Sequence, residues 1–229
     1  MIDEKSCKLY AQMPEHKFLV NKTVSFIRWA LSKVKNPYIA CSFGKDSIVM
    51  THLIFNQFPN ISVRFIRWQY ETDLLNNYDE VIKQCKDRWN INLEQVLLIR
   101  QSLADKVDER FEVDRNVYDS YFLGFRMEES TDRRITIKTM GKFANMKNGL
   151  IRICPLAEWK TKDIAAYTIA NNLPVLNSYK FESFESRTSS RIPREDNGIR
   201  TASLAALKNR DVNSYNHLIK LFPDAKYFL

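Results

Sequence analysis

Segment 42–47 (Ser-Phe-Gly-Lys-Asp-Ser) lies between two apolar stretches, and this arrangement constrains the fold. The segment before it, 38–41, is short, apolar and β-prone. The apolar segment after it, 48–55, can continue as a helix. A strand, a glycine-containing loop and a helix N-terminus together bind phosphate, because free N–H groups and the positive end of the helix dipole face the anion. The segment therefore predicts a phosphate site at the start of a helix.

The side chains of this segment suit such a site. Lys45 supplies a positive charge, and the hydroxyls of Ser42 and Ser47 supply hydrogen-bond donors. Gly44 lets the backbone approach the anion closely. Asp46 suits either the N-cap of the helix or a ligand that shares Mg²⁺ with the phosphates. An ordinary strand–helix turn with a capping Ser or Asp is the alternative interpretation.

The segment differs from a Walker-type phosphate loop. That motif has a glycine five residues before its Gly-Lys pair and Ser or Thr directly after the lysine. Ile39 and Asp46 occupy those two positions here. The sequence therefore indicates a phosphate loop of another class.

Length and composition fit a globular protein with one sizeable α/β domain and a small appendage. The chain has 229 residues, of which 45% are hydrophobic, and no apolar run of about 18 residues that would predict a transmembrane helix. The polar N-terminus predicts no signal peptide. Four scattered cysteines without zinc-ligand spacing predict reduced thiols rather than disulfides or a structural metal. We therefore expect a cytoplasmic protein.

The net charge favours anionic partners. Lys and Arg number 35 and Asp and Glu number 27, which gives a formal charge of +8. Such an excess favours polyanions, from a nucleotide up to a nucleic acid.

The order of the predicted elements indicates the fold class. Strands are predicted at 38–41, 61–66, 93–99 and 121–125, and helices at 17–35, 47–57, 73–89, 102–111, 202–207 and 212–221. Alternation of strand and helix favours an α/β fold, with a doubly wound, mostly parallel sheet and helices on both faces. We predict a nucleotide-binding domain at 1–179, including an N-terminal helix. In 180–229 a basic loop and C-terminal helices would pack on the same domain.

Ligands of such sheets lie at the carboxyl ends of the strands, so three segments should converge there. These are loop 42–47 and the segments after the second and fourth strands. After the second strand, Trp68 or Tyr70 could stack on adenine, and Glu71 could contact ribose or a metal. A strand end followed by a helix cap explains the same residues equally well.

The segment after the fourth strand, 124–134, is rich in charge. It contains three arginines and two glutamates next to a strand end. Such a cluster is costly to bury unless its members contact a ligand or each other. A solvated, charged helix start is the alternative.

Four segments of the sequence resemble the PP-loop superfamily of adenine nucleotide α-hydrolases, and within it the phosphoadenosine phosphosulfate (PAPS) reductase-like family. Segment 42–47 is similar to that superfamily's loop Ser-Gly/Phe-Gly-x-Asp-Ser. Segment 124–133 is similar to Gly-Ile/Phe-Arg-x-x-Glu-Ser-x-x-Arg, and segment 155–164 to Pro-Leu-x-x-Trp-x-x-x-Asp-Ile. Segment 173–179 lies where the family often reads Leu-Pro-x-Asn-x-x-Tyr. The resemblance implies a PP-loop fold that binds an adenine nucleotide.

The resemblance also implies a set of site residues. The loop would hold the phosphates of ATP or PAPS, Lys45 and Arg126 would be catalytic, and Asp46 would bind Mg²⁺. The predicted nucleotide-binding residues are Ser42, Phe43, Gly44, Lys45, Asp46, Ser47, Trp68, Glu71, Gly124, Arg126, Glu129 and Arg133.

Two departures from the family pattern concern the reaction. The family's second loop usually reads Asp-Thr-Gly, whereas this chain has Trp-Gln-Tyr-Glu at 68–71. PAPS reductases resemble each other in a C-terminal Glu-Cys-Gly-Leu/Ile-His segment whose thiolate attacks sulfur. The last cysteine here is Cys154, which precedes a proline and is expected to be buried. The sequence therefore disfavours sulfur reduction by this chain's own thiol.

Three functions follow as hypotheses. The favoured one is an ATP pyrophosphatase that adenylylates an unidentified acceptor substrate and releases pyrophosphate. The second is a PAPS or adenylyl sulfate reductase, or a sulfur transferase, that uses an external thiol or a protein partner. The third is a non-catalytic nucleotide-binding subunit of a nucleic-acid modification or defence complex, consistent with the basic excess and the arginine-rich loop 180–200. The sequence allows a homodimer and predicts no membrane partner.

Overall fold

A computed structural model describes residues 3–68, 78–98, 117–177, 179, 184, 199–210, 212–223 and 225. The strands of this part of the chain are β1 Pro37–Ala40, β2 Ser62–Trp68, β3 Leu93–Leu98, β4 Ser120–Leu123, β5 Phe143–Asn145 and β6 Ile151–Ile153. They form one sheet in the order β3-β2-β1-β4-β6-β5. Every neighbouring pair is parallel except β5 with β6. The predicted α/β class with a mostly parallel sheet is confirmed.

The helices of the described residues are α1 Glu4–Gln12, α2 Pro14–Leu31, α3 Lys45–Phe55, α4 Tyr78–Trp89, α5 Thr131–Met140, α6 Thr161–Ala170, α7 Ile199–Arg210 and α8 Val212–Leu221. The predicted helix at 17–35 was wrong at both ends, since α2 starts at Pro14 and stops at Leu31. The predicted helix at 102–111 lies outside the described residues. No helix of the described part is long and apolar enough to cross a membrane.

Helices cover both faces of the sheet. The main core lies on one face, where Ile39 of β1 and Val63 of β2 pack with α2, α3, α4 and α6. Because strand residues alternate between faces, Ile66 and Val96 lie on the other face, where they pack against a cluster from α7 and α8. This second cluster contains Leu204, Leu207, Tyr215, Leu218, Phe222 and Ala225. The predicted domain division at residue 179 stays a prediction.

The sheet ends in a short hairpin that the sequence did not reveal. Strands β5 and β6 have three residues each and pair antiparallel at the edge of the sheet. The turn between them contains Gly149 with φ +85°, and its N–H donates to Met146 O at 2.9 Å. A residue with a side chain is disfavoured in this conformation. Strands this short carry too little periodicity to be predicted from sequence.

Candidate functional site

The β1–α3 connection forms the centre of the candidate site. The strand ends at Ala40, and α3 begins at Lys45 with Gly44 as its N-cap. Gly44 is extended (φ −72°, ψ 162°) and has no side chain with which to cap the helix. The first turn of α3 therefore has no N-cap side chain on its N–H groups, which suits an anion. Asp46 lies in the first turn, so its predicted alternative role as the N-cap was wrong.

Phe43 anchors the loop to the core through its buried side chain. Its φ of +53° is in the left-handed region, and its side chain is 1% exposed. The ring meets Phe65 of β2 edge-on, with centroids 5.1 Å apart and planes at 88°. Because the side chain lies in the core, Phe43 can contact a nucleotide only through its backbone.

The two serines of the loop lie side by side. Ser47 Oγ donates to Gly44 O at 2.9 Å and lies 3.3 Å from Ser42 Oγ. Ser47 is buried. The hydroxyls therefore tie the two ends of the loop together and place both oxygens beside the start of α3.

Gly124 brings the end of β4 against the same helix start. A Cβ at this position would lie 3.3 Å from Ser47 N and 3.4 Å from Asp46 C. Both neighbours are backbone atoms, so a larger side chain would push the strand end and the helix apart. The structure thus brings Gly124 and loop 42–47 together, as the predicted convergence requires.

Arg126 links the N-terminal turns of two helices. Its side chain is 3% exposed, and Nε donates to Asp46 Oδ1 at 2.7 Å while Nη1 donates to Glu128 Oε2 at 2.8 Å. Glu128 Oε2 also accepts from the backbone N–H of Thr161, the first residue of α6, at 2.6 Å. The guanidinium is therefore held between two carboxylates, which compensate the charge of this buried cation.

Glu128 is ionised more easily than a free glutamate. Burial opposes its ionisation, but hydrogen bonds from the Thr161 N–H, the Thr161 hydroxyl and Arg126 outweigh burial and lower the pKa of Glu128. The carboxylate therefore stays charged near neutral pH and keeps Arg126 in place.

Lys45 is the less constrained of the two predicted catalytic cations. Its side chain is buried at the start of α3, and Nζ lies 3.3 Å from Asp46 Oδ2. This separation is longer than a good charged hydrogen bond, which measures about 2.8 Å. The carboxylate of Asp46 therefore occupies the Lys45 ammonium less fully than it does the Arg126 guanidinium, which leaves Lys45 better able to donate to a phosphate.

Glu129 and Arg133 pair with each other. The Arg133 guanidinium donates to the Glu129 carboxylate, which also accepts from the Arg126 backbone N–H at 3.0 Å. Arg133 lies over the ring of Phe125, 4.2 Å from its centroid. These contacts organise the turn before α5, so the charges of this segment meet each other. The predicted contacts of Glu129 and Arg133 with a nucleotide stay predictions.

Part of the predicted adenine-binding segment lies outside the described residues. The backbone of Trp68 ends β2 at the carboxyl edge of the sheet, but its side chain and Glu71 lie outside the described residues. Stacking on adenine and contact with ribose therefore stay predictions.

The carboxylate of Asp46, the predicted Mg²⁺ ligand, lies beside two cations. Its Oδ1 accepts from Arg126 at 2.7 Å, and its Oδ2 lies 3.3 Å from Lys45 Nζ. Among the described residues no group of three or more His, Cys, Asp or Glu side chains could hold a metal ion. An Asp46-bound ion stays a prediction, and no catalytic step is assigned to it.

All four cysteines are free and buried. Cys154 follows β6 and is fully buried, and burial raises the pKa of its thiol to about 11. Burial also raises the thiol pKa of Cys41, the residue before the loop. Neither thiol is poised to react as a thiolate near neutral pH.

Sequence reasoning missed two contacts of the site. Glu128 and Thr161 close the network around Arg126, and the ring of Tyr179 lies 5.0 Å from Lys45 Nζ. Thr161 and Tyr179 both belong to segments that resemble family motifs. That resemblance was the only available signal, because these contacts join positions far apart in the chain.

Comparison with known proteins identifies the family. The family model for the phosphoadenosine phosphosulfate reductase domain matches residues 36–119 and 105–186. These matches span more than half of the chain. The chain belongs to the phosphoadenosine phosphosulfate reductase domain family. The matched region contains β1, the 42–47 loop and the 124–133 segment, so the predicted membership of the PP-loop superfamily is confirmed.

Similar proteins agree with this family. The adenosine 5'-phosphosulfate reductase of Lysinibacillus sphaericus is 27% identical over 191 residues, covering 71% of this chain and 78% of the relative. The FMN adenylyltransferase of Candida glabrata in complex with ATP aligns with a TM-score of 0.58 at 17% identity, over 78% of this chain and 65% of that one. A tRNA thiolase from Methanococcus maripaludis aligns with a TM-score of 0.52 at 13% identity, over 92% of this chain and 81% of that one. The two structural likenesses show the fold alone.

Proposed function

We propose that this PAPS reductase family member is an enzyme that binds an adenine nucleotide, with the phosphates at the N-terminus of α3. One observation carries the proposal. The buried ammonium of Lys45 lies beside the first turn of α3, whose N-cap Gly44 has no side chain, and the Arg126–Asp46 pair fixes that turn. Family membership supports an adenine nucleotide as the ligand.

The favoured reaction is adenylylation with ATP. An oxygen of the acceptor substrate attacks the α-phosphorus and forms a new P–O bond. The bond between the α-phosphorus and the bridging oxygen breaks, so pyrophosphate leaves with the electron pair, and the acceptor's proton passes to solvent. Lys45 and the N–H groups of α3 would stabilise the charge that develops on pyrophosphate. Arg126 would act mainly by holding Asp46 and the loop in place.

The state of the thiols supports adenylylation over reduction by this chain alone. Attack on sulfur needs a thiolate that can reach the substrate. Cys7, Cys41, Cys85 and Cys154 are all buried, and burial raises the pKa of each thiol. Adenylylation is a reaction at phosphorus and needs no thiolate.

Binding of ATP by matched lysine variants tests the proposed site. Loss of a hydrogen bond to a charged group costs about 1.5–3 kcal/mol, so Lys45→Ala should raise the Kd for ATP by about 10- to 150-fold. Lys22→Ala is the control, because Lys22 is half exposed and pairs with Glu158 on the surface. Isothermal titration with and without Mg²⁺ gives the Kd. A Lys45→Ala variant that binds ATP as tightly as the parent would overturn the site assignment.

Product analysis tests the reaction. Pyrophosphate and an adenylylated acceptor, formed from ATP in the presence of acceptor candidates, would support adenylylation. ATP binding without turnover, together with salt-sensitive binding of DNA or RNA, would instead support a non-catalytic subunit of a nucleic-acid complex.

A second candidate is reduction of adenylyl sulfate or PAPS by an external thiol. The names of the curated relatives favour it, because they are adenosine 5'-phosphosulfate reductases. Thiol-dependent release of sulfite from adenylyl sulfate would support this reaction. If Cys154→Ala releases sulfite at the parent rate, Cys154 is not the reducing thiol, and the same comparison for Cys7, Cys41 and Cys85 tests whether the thiol is external. If the variant is folded and inactive, Cys154 is the nucleophile despite its burial.

A further inference from the structure

The phenol ring of Tyr179 lies over the Lys45 ammonium. Nζ is 5.0 Å from the ring centroid, within the range of a cation–π interaction. Lys45 is 4% exposed and Tyr179 is 8% exposed, so little water separates or screens the two groups. The contact joins the first turn of α3 to a segment that follows α6.

The segment that carries Tyr179 is fixed by apolar packing. Leu173 and Leu176 are buried in the main core, and the Tyr179 N–H donates to Leu176 O at 3.0 Å. The Tyr179 ring also packs against the ring of Phe184, with centroids 5.6 Å apart. These contacts fix the position of the Tyr179 ring relative to Lys45.

Lys45 needs such a partner because of its position. The N-terminus of a helix carries a partial positive charge, so an ammonium in the first turn of α3 is repelled by the helix dipole. Asp46 offsets part of this repulsion, but its Oδ1 already accepts from Arg126 and its Oδ2 is 3.3 Å from Nζ. The negative face of the Tyr179 ring supplies further attraction at a fixed point.

We infer that Tyr179 is a positioning residue for Lys45, holding the ammonium beside the first turn of α3 where it can meet a nucleotide phosphate. This inference rests on the proposed function, since it assigns Lys45 to phosphate binding. Without the ring, the flexible lysine side chain loses its fixed orientation and must be ordered again when the nucleotide binds.

Two substitutions at Tyr179 distinguish the effect of the aromatic ring from the effect of side-chain volume. Tyr179→Leu removes the aromatic face and keeps an apolar side chain, and it should weaken binding of ATP by about 2- to 30-fold. Tyr179→Phe keeps the face and should bind within about twofold of the parent. Thermal unfolding of both variants identifies any effect that comes from loss of folding. Equal binding by Tyr179→Leu and the parent, or tighter binding by Tyr179→Leu, would overturn the inference.

A double substitution tests whether Tyr179 acts through Lys45. In a Lys45→Ala background, Tyr179→Leu should add no further loss of ATP affinity, because the group that it positions is absent. A full additional loss would show that Tyr179 contributes in another way, and the inference would be wrong.

A measurement without nucleotide separates this inference from the proposed function. In protein labelled with ¹³C at the lysine ε-carbons, the Lys45 signal, assigned with Lys45→Arg, should show a ring-current shift in the parent and in Tyr179→Phe. The shift should vanish in Tyr179→Leu. If the shift is present but the parent binds no adenine nucleotide, the proposed function fails and the Lys45–Tyr179 contact stands. If the shift is absent from the parent, the inference fails whatever the parent binds.

Discussion

Arg126 donates from Nε to Asp46 Oδ1 at 2.7 Å and so joins the segment after β4 to the first turn of α3. The two residues are 80 positions apart in the sequence, and the Arg126 side chain is 3% exposed. The bond therefore fixes the relative position of the two segments that form the candidate site.

We expect the two partners to be energetically coupled. Arg126→Gln leaves the carboxylates of Asp46 and Glu128 without their shared cation and should lower the free energy of unfolding by about 3 kcal/mol. Asp46→Asn keeps the shape of the side chain and should cost less, because it remains partly exposed. The double variant should be less destabilised than the two single effects added together, by about 1–3 kcal/mol in urea unfolding. Strict additivity would contradict a direct contact.

Gly124→Ala should disturb the site more than the rest of the fold. The added methyl group would lie 3.3 Å from Ser47 N, a backbone atom that cannot rotate away. We expect a loss of about 1–3 kcal/mol in stability and weaker binding of ATP. Gly149→Ala is the matched control, because nothing lies within 4 Å of its added carbon and its φ of +85° imposes backbone strain alone. The control should lose stability without losing affinity for ATP, and equal loss of affinity in both variants would refute this explanation.

Two substitutions at Phe43 distinguish the energetic cost of its backbone strain from the stabilisation by its packing. Both Phe43→Ala and Phe43→Gly lose the edge-on contact with Phe65, which should cost about 3–5 kcal/mol in stability. Glycine tolerates the φ of +53° at this position, whereas alanine does not. Phe43→Gly should therefore unfold at a higher denaturant concentration than Phe43→Ala, with a difference of about 1 kcal/mol. The opposite order would show that the loop relaxes when the ring is removed.

His52 should make stability depend on pH. It lies in α3, its Nδ1 is 3.0 Å from the Tyr167 hydroxyl, and burial, aided by Arg88, lowers its pKa from 6.5 to about 4. Between these values the unfolded chain binds the proton and the folded chain does not. The contribution of neutral His52 is therefore complete above pH 6.5 and is lost as the pH falls towards 4, by about 3 kcal/mol in total.

Urea unfolding between pH 4 and 7 measures this dependence. In His52→Gln the dependence of stability on pH should be flatter across that window, because glutamine does not titrate. An unchanged slope would assign the acid sensitivity to other groups.

The sequence predicted the parts of the fold that depend on local patterns. The apolar residues 38–41, the glycine at 44 and the apolar run 48–55 predicted β1, the loop and α3 to within two residues at each end. The convergence of Gly124 with the loop followed from the general rule that parallel strands carry their ligands at their carboxyl ends.

Other parts depend on contacts that no local pattern encodes. Helix α1 is not among the predicted helices, because it is short and buries only Cys7 among its nine residues, although Asp3 caps it. The bond from the Thr161 N–H to Glu128 and the bond from Arg126 to Asp46 join residues 33 and 80 positions apart in the sequence. The sequence showed that the arginines and glutamates of 124–134 needed partners, but it could not show that they would find each other.

Every residue of α3 except Asp46 is buried. A helix enclosed on all sides cannot tilt or slide without breaking the close packing of its neighbours. Any adjustment to a bound molecule must therefore come from side-chain rotation or from the segments that face the helix start. The β1–α3 unit is therefore a rigid support, against which the proposed nucleotide and its reaction partner would be aligned.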